Sequence, residues 1–217
     1  MWLPKQQLNS IIALSFKPQG IGIAYIQETG TQVPYSMKSF VYFTCDDMEL
    51  ERQIIFNPTR IGKYVQTLIN KIPSPDIEVR MSLEGPSVFE RLVDKESFED
   101  KNLRNSLNTM AWDSVLLSDQ SASGDMHYVC GITRELLFQY KLLALRNNLN
   151  VSCITTHMIA LLQLAEKVSF VPTTLSDFVN LATKIPIGQI CLNVPTDIDK
   201  VLIAELLGLC MARLSYD

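Results

Sequence analysis

Alternation of apolar and polar positions opens the chain. Ser10 to Phe16 and Gly20 to Gln27 read as strands joined by the turn Lys17-Pro18-Gln19-Gly20, and a third β-like run, Val33 to Cys45, follows Glu28-Thr29-Gly30-Thr31. Between Asn57 and Ile72 the spacing changes. Ile61, Tyr64, Val65, Leu68, Ile69 and Ile72 fall at i, i+3, i+4 and i+7, which predicts a helix that Pro73 and Pro75 stop. Ile77 to Leu83 returns to period two, with Ile77, Val79, Met81 and Leu83 set against Glu78, Arg80 and Ser82.

After Glu84-Gly85-Pro86 the pattern predicts a second unit. It has a short strand Ser87 to Val93, a charged helix around Phe98 to Trp112 and a strand-like piece Val115 to Ser118. The flexible Gln120-Ser121-Ala122-Ser123-Gly124-Asp125 segment then leads to a strand Met126 to Ile132 and a helix from Thr133, its N-cap, to about Asn147. Val151 to Thr155 is a further strand, and Thr155 or Thr156 caps a helix running through Leu161 and Leu164 to Lys167. Then come a short helix near Leu175 to Lys184, a strand at Gln189 to Val194 and a final helix from Asp197 to Leu214. That last helix is apolar on nearly all faces, as a buried helix is.

Composition narrows the class. With 217 residues, 47% of them apolar and 19% charged, the chain is too hydrophobic to be disordered and suits one domain or two small ones. Its net charge is -4 and its 19 cations are scattered, so no nucleic-acid partner is expected. Five cysteines, at 45, 130, 153, 191 and 210, form no CxxC pair. That usage fits a reducing compartment, with reduced, mostly buried thiols. The apolar run Val201 to Leu214 carries Glu205 and Arg213 and is shorter than the roughly 20 residues of a membrane span. A cytoplasmic location is expected.

Catalytic motifs are sparse. Gly20-Ile21-Gly22 lies inside an alternating strand and opens no helix, so it reads as hairpin punctuation rather than a nucleotide fingerprint. His127 and His157, the only histidines, are too few for a three-histidine zinc site. Cys130 with His127, or Cys153 with His157, lacks an orienting third group for nucleophilic chemistry. The acidic cluster Asp46-Asp47-Met48-Glu49 reads as loop, and Phe98-Glu99-Asp100-Lys101 as the first turn of a helix, where acids are favoured. No catalytic or metal-ligating residue is assigned.

One resemblance emerges from motifs taken in order. Met81-Ser82-Leu83-Glu84-Gly85-Pro86-Ser87-Val88-Phe89-Glu90-Arg91 resembles the "lPgs.vf.R" stretch of the PilM family of type IV pilus assembly proteins. Met126 to Glu135, Tyr140 to Leu143 and Asn150-Val151-Ser152 are similar to that family's inserted unit and the run after it, completed by Ile154 to Leu164. Leu207-Gly208-Leu209-Cys210-Met211-Ala212-Arg213 looks like its closing "alGLALR" helix. The likeness covers roughly residues 10 to 167 and 201 to 213. It departs in two respects. Ala13 to Gly20 lacks the family's Asp-x-Gly-Ser phosphate loop, leaving Ser15 and Lys17 as vestigial nucleotide-binding candidates, and the interval from Val168 to Asp197 is too short for a complete second lobe. In both, the chain is closer to the shortened HofM type, associated with pilus assembly and DNA uptake.

The resemblance implies an α/β fold: an actin-like (ribonuclease H-like) main lobe over 10–84 and 149–217, its second lobe reduced to a vestige after 168, with an inserted β-α-β-β-α subdomain over 85–148. It implies a non-enzymatic cytoplasmic adaptor, peripheral to the inner membrane, that binds the cytoplasmic tail of a PilN-like membrane partner in a type IV pilus, DNA-uptake or type II secretion platform. No cofactor is expected, ATP and magnesium included. The alternatives are an actin-like ATPase with drifted loops, or the cytoplasmic domain of a GspL-like secretion protein. The partner groove is expected at Leu83, Gly85, Phe89 and Arg91, with Phe89 as an aromatic anchor and Arg91 facing a polar or acidic group. The alternation fits equally well with Phe89 in the core of the insert and Arg91 solvated.

Overall fold

A computed structural model describes residues 9–44, 50–51, 54–55, 58–72, 77–117, 126–170, 172 and 175–211. β1 (Ser10–Lys17) and β2 (Gly20–Glu28) form a hairpin paired from Ser10 against Gln27 to Lys17 against Gly20, and β3 (Tyr35–Thr44) continues it antiparallel. Two short strands, β4 (Leu50–Glu51) and β5 (Ile54–Ile55), pair with each other. They carry no run long enough to announce them in the sequence. Helix α1 (Pro58–Ile69) precedes β6 (Ile77–Leu83), which runs parallel to β1.

The chain then leaves this sheet. β7 (Val88–Asp94), two short helices α2 (Lys95–Glu99) and α3 (Lys101–Leu107), β8 (Met110–Leu117) and β9 (Met126–Thr133) build a separate three-stranded antiparallel sheet in the order β7-β9-β8. Two corrections to the sequence reading lie here. The charged helix from Phe98 to Trp112 is two helices: Asp94 and Asp100 each cap the segment that follows, accepting from Ser97 N at 2.7 Å and from Asn102 N at 2.7 Å. Its final residues, Met110 to Trp112, are strand, paired against Thr133, Ile132 and Gly131. The Asp100 side-chain cap divides the single charged helix expected there. Helix α4 (Arg134–Arg146) follows, with Thr133 Oγ1 accepting from Leu136 N at 3.3 Å.

β10 (Val151–Thr156) returns to the first sheet beside β6, in parallel, and α5 (His157–Lys167) follows. Thr156 occupies the N-cap position but makes no side-chain cap hydrogen bond. The helix expected over Leu175 to Lys184 is broken into α6 (Leu175–Val179) and α7 (Leu181–Lys184). The strand expected over Gln189 to Val194 is α8 (Ile187–Ile190) followed by the two-residue β11 (Cys191–Leu192), which pairs with Tyr35 and Ser36 of β3. Helix α9 (Lys200–Met211) closes the described chain. The six-stranded sheet has the order β10-β6-β1-β2-β3-β11.

Helices cover both faces of that sheet. On one side, Ile12, Leu14, Phe16, Val79, Met81 and Leu83 pack on Ile61 and Val65 of α1 and on Leu136, Tyr140 and Leu143 of α4, and the rings of Phe16 and Tyr140 meet edge to face at 4.8 Å. On the other, Ile11, Ala13, Ala24 and Ile26 lie under α5, α7 and α9. Two glycines set the depth of α9. A Cβ on Gly208 would stand 1.9 Å from Ala160 O of α5, and one on Gly22 of β2 would stand 3.0 Å from Leu202.

Of the cysteines, Cys130, Cys191 and Cys210 are buried and Cys153 is half-buried, all as free thiols; Cys45 lies outside the described residues, as does the acidic cluster at Asp46 to Glu49. Burial pushes the Cys130 thiol up to about 12 and that of Cys191 to about 11. Neither is a poised nucleophile.

Candidate functional site

β1, β6 and β10 run parallel and end together, and their ends carry a polar cluster. Ser15 and Ser82 are register partners on β1 and β6. Period-two alternation turns their side chains, with Arg80, toward α9 rather than toward α4. From the middle of that otherwise apolar helix Glu205, fully buried, reaches down between them. Ser15 Oγ donates to Glu205 Oε1 at 2.8 Å, the Ser82 hydroxyl donates to the same oxygen, and Lys17 Nζ stands 3.0 Å from Oε2. Lys17 also pairs with Glu84, just beyond the end of β6.

Burial opposes the charge on Lys17, but Glu205 and Glu84 outweigh it and hold the ammonium above its ordinary value. Burial likewise opposes ionisation of Glu84, and Lys17 and His157 together pull it below the usual carboxylate range. One turn below Glu205, Arg80 Nη1 donates at 3.0 Å to the carbonyls of both Leu209 and Cys210 at the end of α9, while its Nε and Nη2 hold Glu78. The sequence-predicted candidates Ser15 and Lys17 are thus brought together, and both are engaged by a carboxylate that the sequence reading had assigned only to a buried helix. The signal was a single acid, Glu205, in the most apolar stretch of the chain.

The four groove candidates separate. Leu83 is fully buried in the α4-facing core, against Phe16 and Met81. Gly85, at φ 139°, is where the chain turns out of the first sheet, a conformation open to glycine. Phe89 packs with Val93, Leu107 and Val129, on the face of the second sheet that α3 covers, and exposed Arg91 lies over its ring at 5.9 Å. Leu83 therefore offers no surface, and Phe89 and Arg91 face the helix rather than the first sheet.

The opening between the two sheets lies elsewhere. β8 is an edge strand of the second sheet and β10 an edge strand of the first. Between them runs a cleft of about 370 Å³ lined by Trp112 and Asp113 of β8, Ile154 and Thr155 of β10, and Ile159 and Gln163 of α5. The Oε1 of Gln163 is buried without a hydrogen-bond partner. At the end of β10, His157 Nδ1 stands 3.3 Å from Glu90 Oε1 of β7 and ties one sheet to the other. His127, the other histidine, stacks on Phe98 with ring centroids 4.1 Å apart. Among the described residues no cluster of three or more His, Cys, Asp or Glu side chains has metal-binding geometry, and no helix is long and apolar enough to cross a membrane.

No family model and no curated protein matches the chain. Solved structures do. The structure titled PilM-PilN type IV pilus biogenesis complex matches with a TM-score of 0.52 at 13% identity, over 73% of this chain and 51% of that one. The cytoplasmic domain of EpsL, an inner-membrane component of the type II secretion system of Vibrio cholerae, matches at 0.41 and 12% identity, over 71% and 59%. The chain spans about half the length of the PilM-PilN chain it matches. At this identity the first likeness establishes architecture: the mixed α/β fold of this chain is PilM-like.

Proposed function

We propose that the protein is a non-enzymatic adaptor of a type IV pilus or type II secretion assembly platform, and that it captures an extended tail of a PilN-like membrane partner between β8 and β10. The observation that carries this reading is the pair of strand edges, unpaired among the described residues, that face one cleft. An extended segment laid there could add to either edge by main-chain hydrogen bonds, which is how strand addition gains affinity. The orphaned Gln163 Oε1 supports it, because an incoming N–H would satisfy a buried acceptor that otherwise carries a penalty. Trp112, 39% exposed at the cleft, is the aromatic anchor, in place of Phe89. The tail brings the adaptor to the inner membrane through its partner. Ser15 and Lys17, already engaged by Glu205, support a protein without ATP turnover.

The test titrates the partner's cytoplasmic tail peptide into the wild type, Trp112→Ala and Phe89→Ala, with thermal melts alongside. Trp112→Ala is expected to bind about thirtyfold more weakly, a loss of about 2 kcal/mol, with little change in melting. Phe89→Ala is expected to lower the melting temperature and leave affinity intact. Unchanged binding by Trp112→Ala, or saturable micromolar binding of a labelled ATP analogue with magnesium, would overturn the reading.

A further inference from the structure

Open α/β sheets bind their ligands beyond the carboxyl ends of parallel strands. In this protein that place is built as an anion cradle. β1 and β6 present two hydroxyls side by side, those of Ser15 and Ser82, and β1 adds the ammonium of Lys17 two residues on. All three groups point at one object, the Glu205 carboxylate. Both hydroxyls donate to Oε1, and the ammonium stands 3.0 Å from Oε2 as an ion pair without hydrogen-bond geometry.

Nothing about α9 itself calls for an acid there. Leu202 to Cys210 are otherwise apolar or glycine, and all are buried. Burying a carboxylate is costly unless it is paired and hydrogen-bonded. The two close approaches at Gly208 and Gly22 let α9 sit low enough to deliver it. We infer that the cradle of Ser15, Lys17 and Ser82 is an anion-binding site whose resident ligand is the chain's own Glu205, and that without this side chain it takes a small free monocarboxylate such as formate or acetate.

The class of anion follows from the surroundings. Lys17 already carries Glu84 as a second partner, so a doubly charged phosphate placed beside it meets like charge that a monoanion largely avoids. The four heavy atoms that Glu205→Ala removes, Cγ, Cδ, Oε1 and Oε2, also match the three of formate or the four of acetate in shape. This inference does not rest on the adaptor reading, and its test involves no membrane partner.

The experiment follows thermal melting of the full chain, as wild type, Glu205→Ala and the double variant Lys17→Met with Glu205→Ala, in sodium formate, acetate, chloride and phosphate at matched ionic strength. Wild type is expected to respond to formate no more than to chloride. Glu205→Ala is expected to melt lower and to regain roughly 3 °C at tenfold saturation with formate or acetate, a rise that levels off with concentration. The double variant is expected to lose that rescue. If Glu205→Ala folds only with help, its refolding yield is read instead, and recovery in formate but not in chloride has the same meaning. Equal responses of Glu205→Ala to formate and chloride, or no recovery in any anion, overturns the inference. A larger rise with phosphate than with formate overturns the ligand class.

Discussion

The two faces of the six-stranded sheet both bury apolar side chains, but only one adds a buried polar cluster. Toward α1 and α4, the strands present Ile12, Leu14, Phe16, Val79, Met81 and Leu83, and cohesion there comes from apolar area and close packing. Toward α9, the same two strands present Ile11 and Ala13 together with Ser15, Glu78, Arg80 and Ser82, and besides apolar packing the helix is held by a buried acid at its middle and by a guanidinium on its last carbonyls. The first face needs volume filled. The second needs particular atoms in particular places. β6 carries both, one on each side of its pleat.

The comparison predicts different tolerances to changes of the same size. On the α9 face, Glu205→Gln keeps shape and removes charge. An amide offers a single acceptor oxygen, and its NH2 group would face either the two hydroxyls or the Lys17 ammonium. A loss of about 3 kcal/mol is expected by urea melts, with Lys17 reduced from two carboxylate partners to Glu84 alone. On the α4 face, Met81→Leu keeps volume and apolarity and is expected to cost under about 1.5 kcal/mol. If the two substitutions cost alike, the distinction between the faces fails.

Gly208→Ala sharpens the same point by shifting α9 without altering any polar group. Its Cβ would meet the backbone oxygen of Ala160, which has no side-chain freedom to yield, so α5 and α9 must part. Overpacking of this kind is expected to cost about 2 kcal/mol. Lifting α9 also lengthens the contacts to Glu205, so the loss should shrink when Glu205→Gln is already present. Strict additivity would mean that helix depth and the anion cradle are independent.

Much of this architecture was legible in the sequence. Period-two alternation placed β1, β2, β6, β9 and β10 to within about two residues, because each pairs along its whole length with one or two neighbours. Between 170 and 200 legibility fell. Short helices such as α6, α7 and α8 have too few turns for a spacing to repeat, and β11 is defined by its pairing with Tyr35 and Ser36, 156 residues away. The site was legible in its parts and hidden in its assembly. Ser15 and Lys17 stood out at the first hairpin, but alternation at Glu78, Arg80 and Ser82 reads the same whether water or a helix lies over those residues. Nothing local told that Glu205 would cover them. The groove candidates were ambiguous for a related reason. Phe89 and Arg91 alternate as a surface pair would, and only the three-dimensional position of α3 shows that Phe89 packs beneath that helix while Arg91 stays exposed.

The smallest expected effect concerns the seam between the sheets, where His157 faces Glu90 of β7, Glu84 beyond β6 and Glu205 of α9. Burial opposes protonation of His157, but the contact and charge of Glu90, followed by the charges of Glu205 and Glu84, outweigh it and raise its pKa above 6.5. A group whose folded value lies above its unfolded one stabilises fully below the unfolded value and loses that contribution as pH climbs through the folded one. Stability should therefore decline gently as pH rises from about 6.5. The neighbouring charges act in other windows. Lys17, raised from 10.5, holds its contribution until the solution is more alkaline than that, and Glu84, lowered from 4.5, loses its own only under more acid conditions. Melting temperatures between pH 5.5 and 8.5, for wild type and Glu90→Gln, isolate the histidine. Wild type is expected to fall with pH, and Glu90→Gln, with the closest carboxylate neutralised, to fall less. Parallel slopes would mean that the contact between His157 and Glu90 contributes nothing to holding the two sheets together.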